Sequence, residues 1–286
     1  MTSPFGTRLQ RAMQSRGPLC AGLDPHRSLV EAWGLTYDLA GLERFTMTCV
    51  EAFGGQVAVV KPQSAFFEVF GSRGIAVLER ALTDLHDAGT LTLLDAKRGD
   101  IGSTMSAYAE AFLGPDAVAP ADALTVSPYL GYESLRPALD LADRTGRGVF
   151  VLALTSNPEG ASVQHAVPRH GPGSVAASVV EGATVDNALA RERGSLGSVG
   201  LVVGATVGTA VSDLGLDLVT AATPVLAPGF GAQGGTVDQL RATFGPALSQ
   251  VLVSSSRELL QSGPDAGALR EHARRLAGEL AESLSA

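Results

Sequence analysis

The chain of 286 residues is 45% hydrophobic and 17% charged, which supplies a large core and excludes a disordered or low-complexity protein. Its 21 Lys and Arg against 29 Asp and Glu give a net charge of −8, so no basic stripe is available for a nucleic-acid backbone, while a small phosphorylated ligand needs only local donors. The stretch around Arg8 and Arg11 lacks an apolar leader core, and no run of about 18 apolar residues follows, so the reading is a cytoplasmic protein with no membrane partner.

Short apolar runs recur along the chain at residues 19–23, 57–60, 91–94, 123–126, 148–154, 199–203, 225–227 and 250–253. They are rich in β-branched residues and continuous rather than alternating, the pattern of parallel strands buried on both faces. Between them apolar residues repeat at helical spacing, as in Leu42, Phe45, Cys49 and Phe53, or Leu135, Leu139 and Ala142. Eight strand-plus-helix units predict a (β/α)8 TIM barrel, an α/β fold formed as one domain over residues 1–286; a doubly wound open sheet is the alternative. Cys20 and Cys49 fall in a strand-like and a helix-like segment without metal-ligand spacing, which reads as two buried thiols in a reducing compartment. The connection 155–173, rich in Pro, Gly, Ser and His, is long enough to be a functional lid or a disordered segment.

Active sites of such barrels form at the C-terminal ends of the strands, so polar residues that terminate an apolar run are the candidates. They are Asp24, Lys61, Asp95 with Lys97, Ser156, Gln233 and Arg257. The third run is the most informative. In LTLLDAKRGDIGST, Asp95 and Lys97 stand two apart on an expected extended segment and so point to one side, with Asp100 three residues on. Charges emerging together from an apolar strand must be solvated by one another or by a ligand. A structural ion pair and a catalytic constellation both satisfy that requirement, and the strand-end position with a third charge favours catalysis.

The segment D-A-K-R-G-D-I-G-S-T resembles the signature D-x-K-x-x-D-I-x-x-T of the orotidine 5′-phosphate decarboxylase family, matched by Asp95, Lys97, Asp100, Ile101 and Thr104. The resemblance extends over essentially the whole chain. It implies that Asp24 in AGLDP and Lys61 in VVKPQ contact the ribose, and that Ser156 in TSNPEG contacts the pyrimidine amide. Gln233 in PGFGAQGG and Arg257 in SSSREL take the phosphate end, with Gln233 also reaching towards Ser156. Pro228 and Gly234 of the same glycine-rich loop join the substrate-binding set. Ser256 stands where many relatives have glycine.

The activity so implied is conversion of orotidine 5′-monophosphate (OMP) to UMP without cofactor or metal. Lys97, held between Asp95 and Asp100, would stabilise the carbanion and protonate C6, with Asp95 beside the departing carboxylate. The resemblance further implies a homodimer in which Asp100 and Thr104 enter the neighbouring subunit's site.

Other candidates have plainer readings. His26, His86, His165 and His170 lack partners at ligand spacing and read as loop or surface residues. Ser127, Ser254 and Ser255 lack a nucleophile-elbow context. Trp33, Phe66 and Phe67 read as core. Two rival functions stay in view. A sister sugar-phosphate lyase of the same barrel group would use Mg2+, which Lys61 would repel; a catalytically silent nucleotide-binding protein would lack part of the Lys61, Asp95, Lys97 and Asp100 set.

Overall fold

The computed structural model describes residues 3–169, 173–232 and 234–285. Eight strands run in parallel: β1 Leu19–Leu23, β2 Val59–Pro62, β3 Leu91–Arg98, β4 Ala123–Val126, β5 Gly148–Leu154, β6 Val199–Val203, β7 Val225–Ala227 and β8 Val251–Ser255. Each pairs with the next, and β1 pairs with β8 through Leu19 opposite Val253. That closing ladder makes the sheet a barrel and removes the open-sheet alternative.

The strands carry their side chains into two separate cores. One set faces the surrounding helices, where Leu42, Phe45, Cys49 and Phe53 of the helix Leu39–Phe53 are buried as their spacing predicts. The other fills the barrel interior with Cys20, Val59, Leu93, Phe150, Val202, Leu226 and Leu252. The N-terminal helix Phe5–Arg16 closes the end of the barrel opposite the strand C-termini by inserting Phe5 and Leu9 into this interior cluster. Glycine is required beside these rings, because a Cβ on Gly148 would lie 2.3 Å from the Phe5 ring and one on Gly200 2.5 Å from that of Phe150. Arg8 locks the helix in place by donating to the Asp122 carboxylate and to the carbonyl of Gly146. Asp122 Oδ2 in turn accepts the Thr92 amide at 2.9 Å.

Three strands depart from their expected limits. β2 begins two residues later than its apolar run and includes Lys61, which pairs opposite Gly22 of β1. β8 takes in Ser254 and Ser255 through pairing with Cys20 and Ala21. β3 continues four residues beyond its apolar run because Arg98 regains pairing with β4 after a register shift between Leu94 and Arg98. The connection 155–173 contains a 3-10 turn at Pro158–Gly160 and a short helix at Ala161–Gln164. Gln164 ties it back to the barrel, accepting from the Thr155 amide at 2.8 Å and donating to the Thr155 hydroxyl at 2.7 Å. Residues 170–172, including His170, lie outside the described residues, as does Gln233. Among the described residues no helix is long and apolar enough to cross a membrane.

Candidate active site

A cleft of about 260 Å³ opens at the C-terminal end of the barrel, and Asp24, Lys61, Asp95, Lys97, Pro228 and Arg257 all line it. Its centre is Asp95, whose carboxylate receives four donors. Oδ1 accepts from Lys97 Nζ at 2.6 Å and from the Thr125 hydroxyl at 2.9 Å; Oδ2 accepts from Lys61 Nζ at 3.0 Å and from Gln63 Nε2 at 3.0 Å. Four donors occupy the full acceptor capacity of an ionised carboxylate, so Asp95 is fixed in both position and charge. Lys61 also faces Asp24, with Nζ 3.7 Å from Oδ1.

Burial works against the charge on Asp95, but Lys61 and Lys97 with their hydrogen bonds overcome it and hold the carboxyl well below the usual carboxylate range. Burial also opposes the charge on Lys61, and there Asp24 and Asp95 prevail, raising its pKa above the ordinary lysine value. Asp95 and Lys61 are therefore both charged at neutral pH.

Asp95 and Lys97 converge, but not as an extended segment would bring them together. Lys97 has φ +48°, in the left-handed region that L-residues with a side chain rarely adopt. The strand bulges between Leu94 and Arg98, and this local turn, rather than two-residue alternation, brings the Lys97 ammonium back onto Asp95. Such backbone strain clusters at functional sites. The side chain of Lys97 is 45% exposed while that of Lys61 is 6% exposed, so of the two ammonium groups on Asp95 Lys97 is the more open to an incoming ligand.

Ser156 follows β5 at the exposed rim, next to Gly204 at the end of β6. Arg257 is exposed and opens the short helix Arg257–Leu260. Pro228 leads into the loop after β7, where Gly229 at φ +100° and Gly234 at φ +91° take conformations that favour glycine. Asp100, Ile101 and Thr104 do not line the cleft of their own chain. Asp100 accepts the Ile101 amide at 2.8 Å, Ile101 is 62% exposed, and Thr104 faces outward.

Several cleft residues escaped the sequence reading. Gln63 and Thr125 bind Asp95 directly. His26, read as a loop or surface residue, is half-buried in the cleft wall, with its ring 4.3 Å from that of Phe66. Burial, assisted by Arg257, lowers its pKa against the pull of Asp24. Phe66 is a correction to the expected core: it is half-buried against His26, while Phe67 and Trp33 are in the core as expected. The available signals were the polar residues after VVKP and within ALTV, each interrupting an apolar run at a strand end.

The profile described as "Orotidine 5′-phosphate decarboxylase / HUMPS family" matches residues 17–272. The chain belongs to this family. An orotidine 5′-phosphate decarboxylase of Streptomyces coelicolor is 57% identical over 283 residues, covering 99% of both chains. One from Salinispora arenicola is 55% identical over 281 residues, covering 98% of both. A crystal structure from Streptomyces avermitilis assigned to orotidine 5′-phosphate decarboxylase superposes with a TM-score of 0.94 at 56% identity, covering 100% of this chain and 97% of that one.

The donor set of the cleft bears on whether a divalent cation could sit there. A divalent cation seeks carboxylate oxygens free of ammonium partners, yet both oxygens of Asp95 are taken and Lys61 stands between Asp95 and Asp24. Among the described residues no group of three or more His, Cys, Asp or Glu is arranged to hold a metal ion. The carboxylates of Asp24 and Asp95 thus face ammonium groups of the chain itself.

Proposed function

We propose that the chain decarboxylates orotidine 5′-monophosphate to UMP, the last step of de novo pyrimidine biosynthesis, with no cofactor and no metal. The observation that carries this reading is the exposed Lys97 ammonium, aimed into the cleft by a buried and fully occupied Asp95, in a chain of this family. The C6–carboxylate bond breaks, CO2 departs, and the electron pair remains on C6 until an Lys97 N–H proton reaches it. Lys97 is then recharged from solvent. With no cofactor to delocalise the pair, fixed charge must stabilise it, and a cation already oriented before the reaction does so without reorganisation.

The remaining roles are those that the family resemblance implies, with Asp24, Lys61, Pro228 and Arg257 lining the cleft in support. Asp24 and Lys61 hold the ribose, Ser156 the pyrimidine amide, and Arg257 with Pro228, Gln233 and Gly234 the phosphate. The loop after β7 and the helix after β8 form the barrel region that recurrently binds phosphate, where backbone N–H groups and an arginine fork converge. Phosphate binding far from C6 can be spent on ordering the site, so it should raise kcat as well as affinity.

The active assembly is a C2 homodimer, with the whole of residues 1–286 acting as one unit in each subunit. Asp100, Ile101 and Thr104 enter the neighbouring cleft, where Asp100 completes the pair of carboxylates around Lys97. Val69, Ile101, Tyr129 and Leu130, on the loops after β2, β3 and β4, are large exposed hydrophobics, the surface expected where a partner docks. The free, buried Cys20 and Cys49 fit the reducing cytoplasm.

Incubation with OMP, following loss of substrate and appearance of UMP with and without EDTA, tests the reading. Metal-independent UMP formation supports it. Activity abolished by EDTA and restored by Mg2+ would move the chain to the lyase chemistry of its family.

A further inference from the structure

Thr125 lies in β4, is 1% exposed, and makes three hydrogen bonds through one oxygen. Its Oγ1 accepts the backbone amides of Ala96 and Lys97, each at 3.0 Å, and donates to Asp95 Oδ1 at 2.9 Å. A hydroxyl has two lone pairs and one proton, so this geometry uses its whole capacity. With both lone pairs taken by N–H groups, the proton has only Asp95 to go to. The same two amides belong to the β3 bulge, at the point where Lys97 is held at φ +48°. A neighbouring strand ordinarily supplies backbone carbonyls to such amides, but the register shift removes them, and Thr125 replaces them from a side chain.

Deepening the decarboxylase reading, on which it rests, we infer that Thr125 is a positioning residue for the reaction. Its hydroxyl holds the left-handed turn at Lys97 and the orientation of Asp95 together, and so sets where the ammonium meets C6. Other polar contacts to the bulge leave both amides to Thr125: the Ser64 amide donates to the Asp95 carbonyl at 3.1 Å, the Ser127 amide to the Arg98 carbonyl at 2.8 Å, and Arg98 Nη1 to the Ala96 carbonyl at 3.2 Å. A serine keeps the oxygen, while a valine keeps the β-branched shape that a buried strand packs around but removes every hydrogen bond. Without an acceptor the two amides must find other partners, which unwinds the turn.

The test compares Thr125→Val and Thr125→Ser with wild type in the OMP assay, alongside UMP affinity and a crystal structure of each variant. For Thr125→Val the expected kcat loss is about tenfold to hundredfold, the scale of a 1 Å misplacement, with UMP affinity within about threefold of wild type. Lys97 should leave the left-handed region, and its Nζ should move away from Asp95 by about 1 Å or more. Thr125→Ser should recover most of the lost kcat. The inference is overturned if Thr125→Val keeps kcat within about threefold, if Thr125→Ser is equally impaired, or if UMP affinity falls as far as kcat. Should Thr125→Val not fold, Thr125→Cys, with a weakly hydrogen-bonding thiol, takes its place with the same expectations. A wild-type enzyme inactive on OMP would defeat the decarboxylase reading alone, since the conformation of Lys97 in the variants still reports on Thr125.

Discussion

Lys97 Nζ lies 2.6 Å from Asp95 Oδ1 although the backbone between them is not regular strand, because Lys97 turns through φ +48° to make the contact. The charge that faces the cleft is thus oriented by one carboxylate, and that carboxylate is anchored from below by the buried Lys61. Removing Asp95 would therefore disturb the fold as well as the chemistry.

Asp95→Ala is expected to destabilise the protein by about 3–5 kcal/mol, the cost of leaving a buried charge without its partner. Urea denaturation across pH checks this and adds a signature. The folded-state pKa of Asp95 is depressed, so its stabilisation is complete above the unfolded value near 3.9 and is lost as pH falls through the folded one. Lys61 is raised, so its stabilisation is complete below about 10.4 and is lost only as pH rises through its folded value. This network should contribute fully from about pH 5 to 9, and Asp95→Ala should erase the part of the acid limb that it supplies. Equal stability of variant and wild type at pH 7 would contradict the assignment.

At the opposite end of the barrel, Phe5→Ala is expected to cost about 3–5 kcal/mol, the range for emptying a fully buried aromatic site. Because Phe5 plugs the end remote from the cleft, kcat at a temperature where the variant remains folded should match wild type. Thermal denaturation paired with the OMP assay separates the two effects; a kcat loss without a stability loss would place Phe5 in the wrong layer.

The barrel was legible because burial on both faces writes each strand as an uninterrupted apolar run, and the charges ending those runs marked the cleft. The bulge in β3 was not, since it depends on a hydroxyl 30 residues away from Asp95. In ALTV, Thr125 reads as an ordinary β-branched strand residue, and only the neighbouring strand's register reveals what its oxygen does. His26 was hidden for a similar reason: a lone histidine acquires a place in the cleft through Phe66 and Arg257, which are distant in sequence. The D-x-K-x-x-D-I-x-x-T motif could be read directly, but the outward placement of Asp100, Ile101 and Thr104 depends on how the chain turns after β3.

Arg257→Ala should weaken UMP binding by about tenfold to a hundredfold, the range of a hydrogen bond to a charged group, and leave uridine affinity nearly unchanged. Calorimetric titration with both ligands measures the difference. Equal losses for nucleotide and nucleoside would remove Arg257 from the phosphate end.

The shared-site dimer is testable by complementation. Lys97→Ala and Asp100→Asn are each expected to be inactive alone. Co-refolding equal amounts makes about half the dimers mixed, and contribution in trans gives each mixed dimer one doubly damaged site and one intact site, so about a quarter of all sites should work. If Asp100 serves its own chain, every site in a mixed dimer carries one lesion. Activity near zero from dimers confirmed as mixed would exclude the shared arrangement.

The central claim, that Lys97 delivers the proton to C6, is tested most directly by single-turnover decarboxylation of OMP with wild type and Lys97→Ala at saturating enzyme. The side chain is 45% exposed, so its loss should leave the fold intact by circular dichroism and retain UMP binding. The expected rate falls by at least the factor of about 10²–10⁴ that general acid catalysis alone supplies, with the lost electrostatic stabilisation adding to it. Retention of more than about one hundredth of the wild-type rate would contradict Lys97 as the proton donor.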